Sequence, residues 1–308
     1  MNDDLQSRPN LRRLFGCFGS FRKKRVEVSD HSSCACQSEI SLFDRNIGDS
    51  YVEELANDLI DARAQVAVLN LSRNMIGDAA ISALSKAFES QNVSLQRVIL
   101  AQNPGIGLAG TTALGRSLKI SRIVSLNLTE CSIGNKECSA LSAGLIENPD
   151  LKELFLHSNV ISDEGAVALG AALSKNSSLQ TLDLSGNPVG EVGLEGIILG
   201  LSGNQAMRKL YLNDTRMSLK SLRNMVNLVE FNNTLICLQT RTHSLEWSCE
   251  QKKLQKLLEF YLELNNNGRR LLQEQPPRAL LSLTMSRISD RSDLMYALLR
   301  EVPHLLAS

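Results

Sequence analysis

The feature that most constrains this chain is a motif that returns every 28 or 29 residues along most of its length. The motif reads leucine-x-leucine-x-x-asparagine or cysteine-x-isoleucine or valine, and LDLSGNPVG at 182–190 is a clear copy. A fixed period of this size indicates one supersecondary unit repeated in series, which buries its apolar face only against its neighbours. The eight units begin at residues 37, 66, 95, 123, 151, 179, 207 and 235.

Within each unit the apolar pattern changes from alternation to helical spacing. Alternating leucines such as Leu182 and Leu184 predict a short strand with one buried face. Apolar residues then recur 7, 10 and 14 positions after the asparagine, as at Ala166, Leu169 and Leu173, which lie on one face of a helix. Each unit is therefore predicted to be a strand, a turn and an amphipathic helix, with one extra turn residue in the unit at 98–110.

Taken alone, LDLSGNPVG also fits a phosphate-binding loop, because a strand, a glycine turn and a helix start follow each other. The repeat register favours a structural turn instead. The chain has no GxxxxGK[S/T] motif, and no glycine motif stands apart from the repeats. A possible metal pattern at His31, Cys34 and Cys36 has spacing too narrow for a usual zinc site. We therefore predict no cofactor and no metal.

These repeats resemble the ribonuclease-inhibitor-like class of leucine-rich repeat proteins over roughly residues 37–247. The resemblance implies an α/β solenoid of horseshoe shape, with a parallel β-sheet on the concave face and helices on the convex face. It also implies a ladder of inward side chains that bond otherwise unpaired backbone groups. The ladder residues are Asn74, Asn103, Cys131, Asn159 and Asn187, while Arg45 and Thr215 depart from the pattern.

The two ends of the chain lack the repeat. Residues 1–36 form a basic tail whose RRLFGCFGSFRKKR stretch predicts either weak membrane association, with Cys17 available for acylation, or a disordered segment. Residues 248–308 are predicted to form a helical cap that shields the open end of the solenoid. Its first helix would run from 249 to about 268 and its last from 290 to 306. The first helix is expected to bury Leu254, Leu257, Leu258, Tyr261 and Leu262.

The charge balance excludes a general attraction to nucleic acid, because 33 basic residues match 33 acidic ones. No apolar run reaches the roughly 18 residues of a membrane helix, and the N-terminus shows no secretory signal. We therefore predict a cytoplasmic monomer with reduced thiols and no nucleic-acid partner. A membrane-peripheral location remains the alternative if the basic tail acts as an anchor.

Candidate contact residues occupy the outward positions of the strands, between and beside the core leucines. Phe155 and Tyr211 lie two strands apart, about 10 Å at ~4.8 Å per strand, so one partner could contact both aromatic rings. Asp183 and Ser185 are expected on the same face. Opposite charges on this face favour a protein partner over nucleic acid. The predicted contact set is Phe155, Tyr211, Asp183, Asn127, Arg97, Glu153, Lys209 and His157.

No catalytic residue is predicted. His157 could pair with Ser185 or Cys131, but the ladder position turns Cys131 inward and an exposed strand histidine is an ordinary contact residue. The main hypothesis is a non-enzymatic protein-interaction scaffold that uses the concave face. One alternative is a GTPase activator similar to Ran-GTPase activators, in which Arg45 and Arg73 would meet the GTPase, although the acidic tail typical of that family is missing. The other is a sensing module of the NOD-like receptor type.

Overall fold

The computed structural model describes residues 38–61, 66–90, 94–240 and 248–266, and strands alternate with helices throughout these ranges. The strands are β1 (Ser38–Ser41), β2 (Val66–Asn70), β3 (Arg97–Ile99), β4 (Ser125–Asn127), β5 (Glu153–Phe155), β6 (Thr181–Asp183), β7 (Lys209–Tyr211) and β8 (Cys237–Gln239). The helices are α1 (Asp49–Asp61), α2 (Asp78–Glu89), α3 (Leu108–Leu118), α4 (Asn135–Leu145), α5 (Asp163–Leu173), α6 (Glu191–Leu201), α7 (Leu219–Phe231) and α8 (Cys249–Asn266). Within the described ranges, none of these helices has the length and apolar character needed to span a bilayer.

The chain divides into two compact units, one up to Val160 and one from Ile161. In the first unit β1 to β5 pair in parallel in chain order, and Leu126 lies opposite Leu154 in the register. In the second unit β6 to β8 pair in the same way, with Leu182 opposite Leu210. The predicted strand–turn–helix repeat and its parallel strands are confirmed in both units.

The core of each unit is a stack of strand leucines and apolar helix residues. The helix positions predicted from their spacing are all buried, as Ala166, Leu169 and Leu173 illustrate at 0–1% exposure. Leu182 and Leu184 on either side of Asp183 are fully buried, whereas Asp183 is not. Removing these side chains from water contributes about 1.5–3 kcal/mol each, so the repeat is held mainly by burial between neighbours.

Asparagine side chains that follow β2, β3 and β5 join one repeat to the one before it. In Asn74 the Oδ1 atom accepts from the backbone N–H groups of Arg45 and Ile47, both at 3.1 Å. Its Nδ2 atom donates to the carbonyl oxygens of Leu42 and Leu71, both at 2.9 Å. Four backbone groups that burial would otherwise leave unpaired are thus satisfied by one side chain. Asn103 and Asn159 make equivalent hydrogen bonds.

The residues that replace asparagine at this position make only some of the asparagine hydrogen bonds. Cys131 is fully buried, and its Sγ atom donates to the carbonyl oxygen of Leu100 at 3.1 Å. Thr215 donates from Oγ1 to the carbonyl oxygen of Leu212 at 2.8 Å, which replaces a single asparagine contact. Arg45 is exposed and supplies only its backbone N–H to the ladder.

The residue before each ladder position adopts a left-handed backbone conformation. In LDLSGNPVG this residue is Gly186, with φ 69°. Non-glycine residues take the same conformation in six other units, at φ between 52° and 58°, although it disfavours L side chains. They are Asp44, Arg73, Gln102, Glu130, Ser158 and Asp214. The glycine of the motif therefore serves the turn.

A second asparagine ladder, which the sequence interpretation missed, lies at the C-terminal ends of the helices. Asn204 donates from Nδ2 to the carbonyl oxygens of Leu173 and Asn176, and its Oδ1 accepts from the N–H groups of Ala206 and Met207. These bonds cap the carbonyl end of one helix and start the next strand. The signal was visible as a 28-residue spacing of buried asparagines at 148, 176, 204 and 232.

Carboxylates at helix starts hold the first turn of the next helix. Asp78 opens α2, and its Oδ1 atom accepts from the N–H groups of Gly107 (2.7 Å) and Gly110 (2.9 Å). The anion-binding amides at this helix start are thus already occupied by a side chain of the chain itself. The helix start also shows the predicted extra turn residue, since N-cap Gly107 follows Asn103 by four residues whereas N-cap Gly77 follows Asn74 by three.

Small residues bring neighbouring helices into backbone contact. A Cβ atom at Gly144 of α4 would overlap the carbonyl oxygen of Gly115 in α3. In the second unit a Cβ at Gly200 of α6 would overlap the carbonyl oxygen of Gly170 in α5 in the same way. Glycine is required at these positions because no side-chain movement can relieve a clash with backbone.

The first part of the predicted cap is the long helix α8, which ends at Asn266. Leu258 and Leu262 are buried as expected, but Leu257 is 41% exposed and Leu264 is fully buried instead. The face of α8 that packs on the core is therefore rotated relative to the predicted face. The predicted helix at 290–306 and the basic tail at 1–36, including Cys17, His31, Cys34 and Cys36, lie outside the described residues. The proposed boundaries at 36/37 and 247/248 therefore stay predictions.

Candidate functional site

The strand face of the first unit carries four of the predicted contact residues in two parallel rows. Asn127 and Phe155 are direct neighbours across β4 and β5. Arg97 and Glu153 belong to the next row, where Ser125 lies between them. Arg97 is exposed, and the other three contact residues are half-buried, so all four side chains can reach a partner. The intervening Ser125 is buried and adds no contact.

Two of the predicted contact residues, Asn127 and Asp183, also make hydrogen bonds that end their strands. Asn127 accepts a hydrogen bond from the N–H of Thr129 at 2.9 Å through its Oδ1 atom. Asp183 does the same for the N–H of Ser185 at 2.9 Å. Each is an Asx-type turn that bends the chain out of the strand. The sequence predicts these side chains only as contact residues, but the Oδ1 atom of each also accepts a backbone hydrogen bond that ends its strand.

His157 lies at the edge of the strand face beside its neighbour Ser158. Its Nε2 atom is 3.0 Å from the Ser158 hydroxyl, and the ring is half-buried. The thiol of Cys131, which would have to face His157 to act as a nucleophile, points into the core. Burial raises the pKa of that thiol to about 11, so it stays protonated near neutral pH. The geometry therefore gives His157 a hydroxyl neighbour and no activated thiol.

The strand face of the second unit carries the other three predicted residues. Asp183 and Tyr211 are direct neighbours across β6 and β7, and Tyr211 continues to Gln239 on β8. Lys209 begins β7 and is exposed, while Asp183 and Tyr211 are half-buried. At the strand ends, Asn213 donates from Nδ2 to Oε1 of Gln239 at 3.1 Å. An anion, a cation and an aromatic ring thus share one small surface.

The expectation that Ser185 lies on this surface was wrong. Ser185 is only 4% exposed, and its Oγ atom accepts from the N–H of Asn213 at 3.2 Å. Strand alternation fails here because β6 has already ended at Asp183 and the chain turns at the left-handed Gly186. The separation between Phe155 and Tyr211, which belong to different units, stays a prediction.

An aromatic contact outside the predicted contact set lies near the first repeat. Phe43 is 46% exposed, and the guanidinium carbon of Arg73 lies 5.6 Å from its ring centroid. An Nη1 atom of Arg73 also lies 3.9 Å from a carboxylate oxygen of Asp44. Such a cation–π contact between exposed groups is worth about 0.5–1 kcal/mol. Arg73, considered above as a residue that could meet a GTPase, is thus held by its own chain.

Within the described ranges, no group of three or more His, Cys, Asp and Glu side chains could hold a metal ion. The cysteines of these ranges carry free thiols, at Cys131, Cys138, Cys237 and Cys249.

The strand faces of the two units offer mixed charge, aromatic rings and hydroxyl groups, which suit contact with another protein.

Comparison with known proteins points to one repeat family. A family model described as Leucine Rich repeat matches residues 147–170 and 175–197. Ribonuclease inhibitor from Sus scrofa is 33% identical over 130 residues, which are 42% of this chain and 28% of that protein. The Mus musculus ribonuclease inhibitor is 34% identical over 130 residues, with the same two coverages. The chain thus spans less than a third of the length of these relatives.

Similarity extends to one human protein and to two solved structures. The human protein NACHT, LRR and PYD domains-containing protein 12 is 30% identical over 129 residues, which are 12% of its length and 41% of this chain. Leiomodin-1 Actin-Binding Site 2 has a TM-score of 0.40 and 17% identity, over 64% of this chain and 96% of that one. The tropomodulin C-terminal domain from Caenorhabditis elegans has a TM-score of 0.36 and 15% identity, over 72% and 97%.

Proposed function

We propose that this chain, whose leucine-rich repeats are similar to those of ribonuclease inhibitors, is a non-enzymatic scaffold that binds a protein partner through its strand face. The observation that carries this proposal is the register of the second unit, which places Asp183 beside Tyr211 in one row and exposes Lys209 in the next. The first unit supports it with Arg97, Glu153 and the Asn127–Phe155 pair.

The physical argument rests on the kind of side chains that reach the surface. Aromatic and arginine side chains contribute most of the binding free energy at protein interfaces. Charges of both signs add specificity and speed association with a complementary protein surface. Repeat proteins place such side chains on a rigid backbone, so little entropy is lost when the partner binds.

The direct test is affinity purification from native lysate with a paired variant, Phe155→Ala with Tyr211→Ala. Because both rings are half-buried strand residues beside the core, thermal unfolding must first show that the variant still folds. We expect the main bound protein to fall by at least about tenfold, since interface aromatics are typical hot spots. The matched control is Leu199→Ala with Phe231→Ala, two exposed apolar residues on α6 and α7, which should leave binding intact. Undiminished recovery with the strand-face variant would rule out this surface.

Crosslinking with an amine-reactive reagent locates the surface independently. Lys209 lies on the strand face, whereas Lys136 and Lys220 lie on helices α4 and α7. The proposal expects crosslinks from the partner to Lys209. Crosslinks confined to the helix lysines would contradict it.

The two alternatives make different predictions. A GTPase activator would accelerate single-turnover GTP hydrolysis by at least one member of a panel of small GTPases, typically by about 10³-fold or more. Arg45, which is exposed, would then be required, and Arg45→Ala would abolish the acceleration. No acceleration across the panel removes this alternative.

The sensing-module alternative draws support from the human relative whose name includes a NACHT domain. It predicts that the chain binds a purified NACHT domain. No co-elution of the two on gel filtration would leave the scaffold as the remaining candidate.

A further inference from the structure

A second surface feature lies on the helix side of the first unit, away from the strand face. A groove of about 700 Å³ runs between α2 and α3. It is open because the side chains along its walls are small, among them Ser82, Ala109 and Ala113. Its volume falls within the range of pockets that hold small molecules, about 300–1,000 Å³.

The polarity of the groove changes along its length. Leu108 lines the groove at the start of α3 and is 45% exposed. Lys86 and Arg116 line the groove in the last turns of α2 and α3. Leu108 lies eight positions before Arg116, a distance of about 12 Å along the helix at ~1.5 Å per residue. One end is therefore apolar and the other is basic.

The two basic side chains occupy the same place in consecutive repeats. Lys86 follows the N-cap Gly77 by nine residues, and Arg116 follows the N-cap Gly107 by nine. Among the described residues neither forms an ion pair with a carboxylate. Glu89 also lines the basic end, so these three side chains carry a formal charge of +1.

A buried hydroxyl group without a partner also lines the groove. Ser85 is only 2% exposed, and within the described part of the chain its Oγ atom makes no hydrogen bond. Ser142 occupies the equivalent position in α4, eight residues after its N-cap, and donates to the carbonyl oxygen of Cys138 at 2.8 Å. An unpaired buried hydroxyl costs about 1–3 kcal/mol, so a ligand atom that accepts its hydrogen bond is favoured.

We propose that this groove binds an acidic peptide segment of a protein partner. A carboxylate of the peptide lies between Lys86 and Arg116, which matches its charge and hydrogen-bonding capacity. An apolar side chain of the peptide packs on Leu108, about four extended residues away at ~3.3 Å per residue. The Ser85 hydroxyl donates to a peptide carbonyl or carboxylate oxygen. This site is separate from the strand face and stands whether or not the scaffold proposal does.

The test uses the full chain as bait for a phage library of random heptapeptides. Phage that also bind the double variant Lys86→Glu with Arg116→Glu are removed in a counter-selection. We expect enriched peptides to carry Asp or Glu with Leu, Ile, Val or Met three to five positions away. Synthetic copies should bind the double variant at least about tenfold more weakly than the unaltered chain, because charge reversal replaces attraction by repulsion. Enrichment without acidic residues, or equal binding to both proteins, would overturn the proposal.

Three single substitutions separate peptide binding from a purely structural effect. Ser85→Ala should weaken binding of the enriched peptide about threefold to tenfold, the usual effect of one hydrogen bond. Ser142→Ala is its matched control, since that hydroxyl is satisfied within its own helix, and it should leave affinity unchanged. Glu89→Gln should strengthen binding, because it removes a like charge from the basic end. Thermal unfolding of each variant shows whether it folds, and equal affinities for all three contradict the site.

Discussion

Asn265 of α8 donates a hydrogen bond of 2.9 Å from its Nδ2 atom to the carbonyl oxygen of Asn232 at the end of α7. Asn232 in turn donates to the carbonyl oxygen of Asn204, 3.1 Å away and one repeat earlier. The leucine pattern is lost after residue 248, yet the ladder of helix-end asparagines continues into α8. Helix α8 is therefore attached by the same hydrogen bonding that joins the repeats.

The first prediction concerns this helix-end ladder. Asn232→Ala removes a side chain that donates to the carbonyl oxygens of Leu201 and Asn204 and accepts from the N–H groups of Thr234 and Leu235. We expect the free energy of unfolding to fall by about 2–4 kcal/mol, because several buried groups lose their partners at once. Urea denaturation followed by circular dichroism measures the loss. Asn227→Ala, on the exposed side of α7, should change stability by less than about 0.5 kcal/mol.

The second prediction concerns helix spacing. Alanine has the higher helix propensity, so Gly144→Ala would stabilise a free helix by about 1 kcal/mol. The added Cβ atom overlaps the carbonyl oxygen of Gly115, however, and forces α3 and α4 apart. We therefore expect a net destabilisation of about 2 kcal/mol or more, measured as a lower thermal midpoint. Gly203→Ala meets no atom within 4 Å and should be nearly neutral; equal effects of the two changes would contradict the packing argument.

The third prediction concerns the left-handed turn residue of the LDLSGNPVG motif. Gly186→Ala should destabilise the chain by about 1–2 kcal/mol, because a Cβ atom disfavours φ near 69°. Gly186→Asn should cost less, since asparagine adopts this conformation more readily than alanine. Denaturant midpoints of the two variants give the comparison. An alanine variant as stable as the asparagine variant would show that backbone strain is not the cause.

The fourth prediction concerns thiol reactivity. Burial raises the pKa of Cys131 to about 11 and that of Cys138 to about 12, both from an ordinary value near 9.0. A rise of two units leaves roughly 100-fold less thiolate at pH 8. Iodoacetamide should therefore modify the exposed Cys249 rapidly and the two buried thiols only after unfolding in urea. Peptide mass spectrometry over a time course gives the rates, and early labelling of Cys131 would contradict its inward position.

The fifth prediction concerns pH dependence at the start of α6. Hydrogen bonds from Lys220 and from the Ser218 hydroxyl lower the pKa of Glu191 below its usual range. A lowered carboxyl pKa stabilises the folded chain above the unfolded value of about 4.3, and that contribution is lost as the pH falls through the folded value. The thermal midpoint of Glu191→Gln should therefore lie below that of the unaltered chain at pH 7 and approach it at pH 3.

The size of that pH effect is limited by solvent, because the side chains of Glu191 and Lys220 are 40% and 59% exposed. Added salt should reduce it further. Glu89→Gln is the control, because in the described ranges Glu89 forms no ion pair. If the difference in thermal midpoint between Glu191→Gln and the unaltered chain is the same at pH 3 as at pH 7, the charge of Glu191 is not its source.

Much of the fold could be predicted because its signals are local. Two alternating leucines mark a strand, and the spacing seen at Ala166, Leu169 and Leu173 marks a helix face. The constant period then aligns equivalent residues in neighbouring repeats, which is why the register of Leu126 with Leu154 follows from counting. The helix-end asparagines have the same 28-residue period, but they lie outside the strand motif from which the repeat was defined.

The candidate site was harder to predict, because exposure depends on more than alternation. Ser185 has the pattern of an outward residue, yet a hydrogen bond with the next repeat keeps it buried. Leu257 fits the apolar face of α8 and is nevertheless exposed, because packing selected a slightly different face. Arg73 was an unassigned cation in the sequence and is a partner of Phe43 in the structure.

The repeat, the parallel strands and the buried leucines can be predicted from the amino-acid order alone, since they follow from periodicity and apolar burial between like units. Which polar groups remain available to a partner depends instead on how the repeats pack against each other. Ser85 and Ser142 occupy the same position in their repeats, but one hydroxyl is satisfied within its helix and the other faces a groove. A hydrogen bond forms or fails with differences of a few tenths of an ångström in donor–acceptor distance, and it depends on the position of the neighbouring helix. Neither quantity can be predicted from the local sequence around a residue.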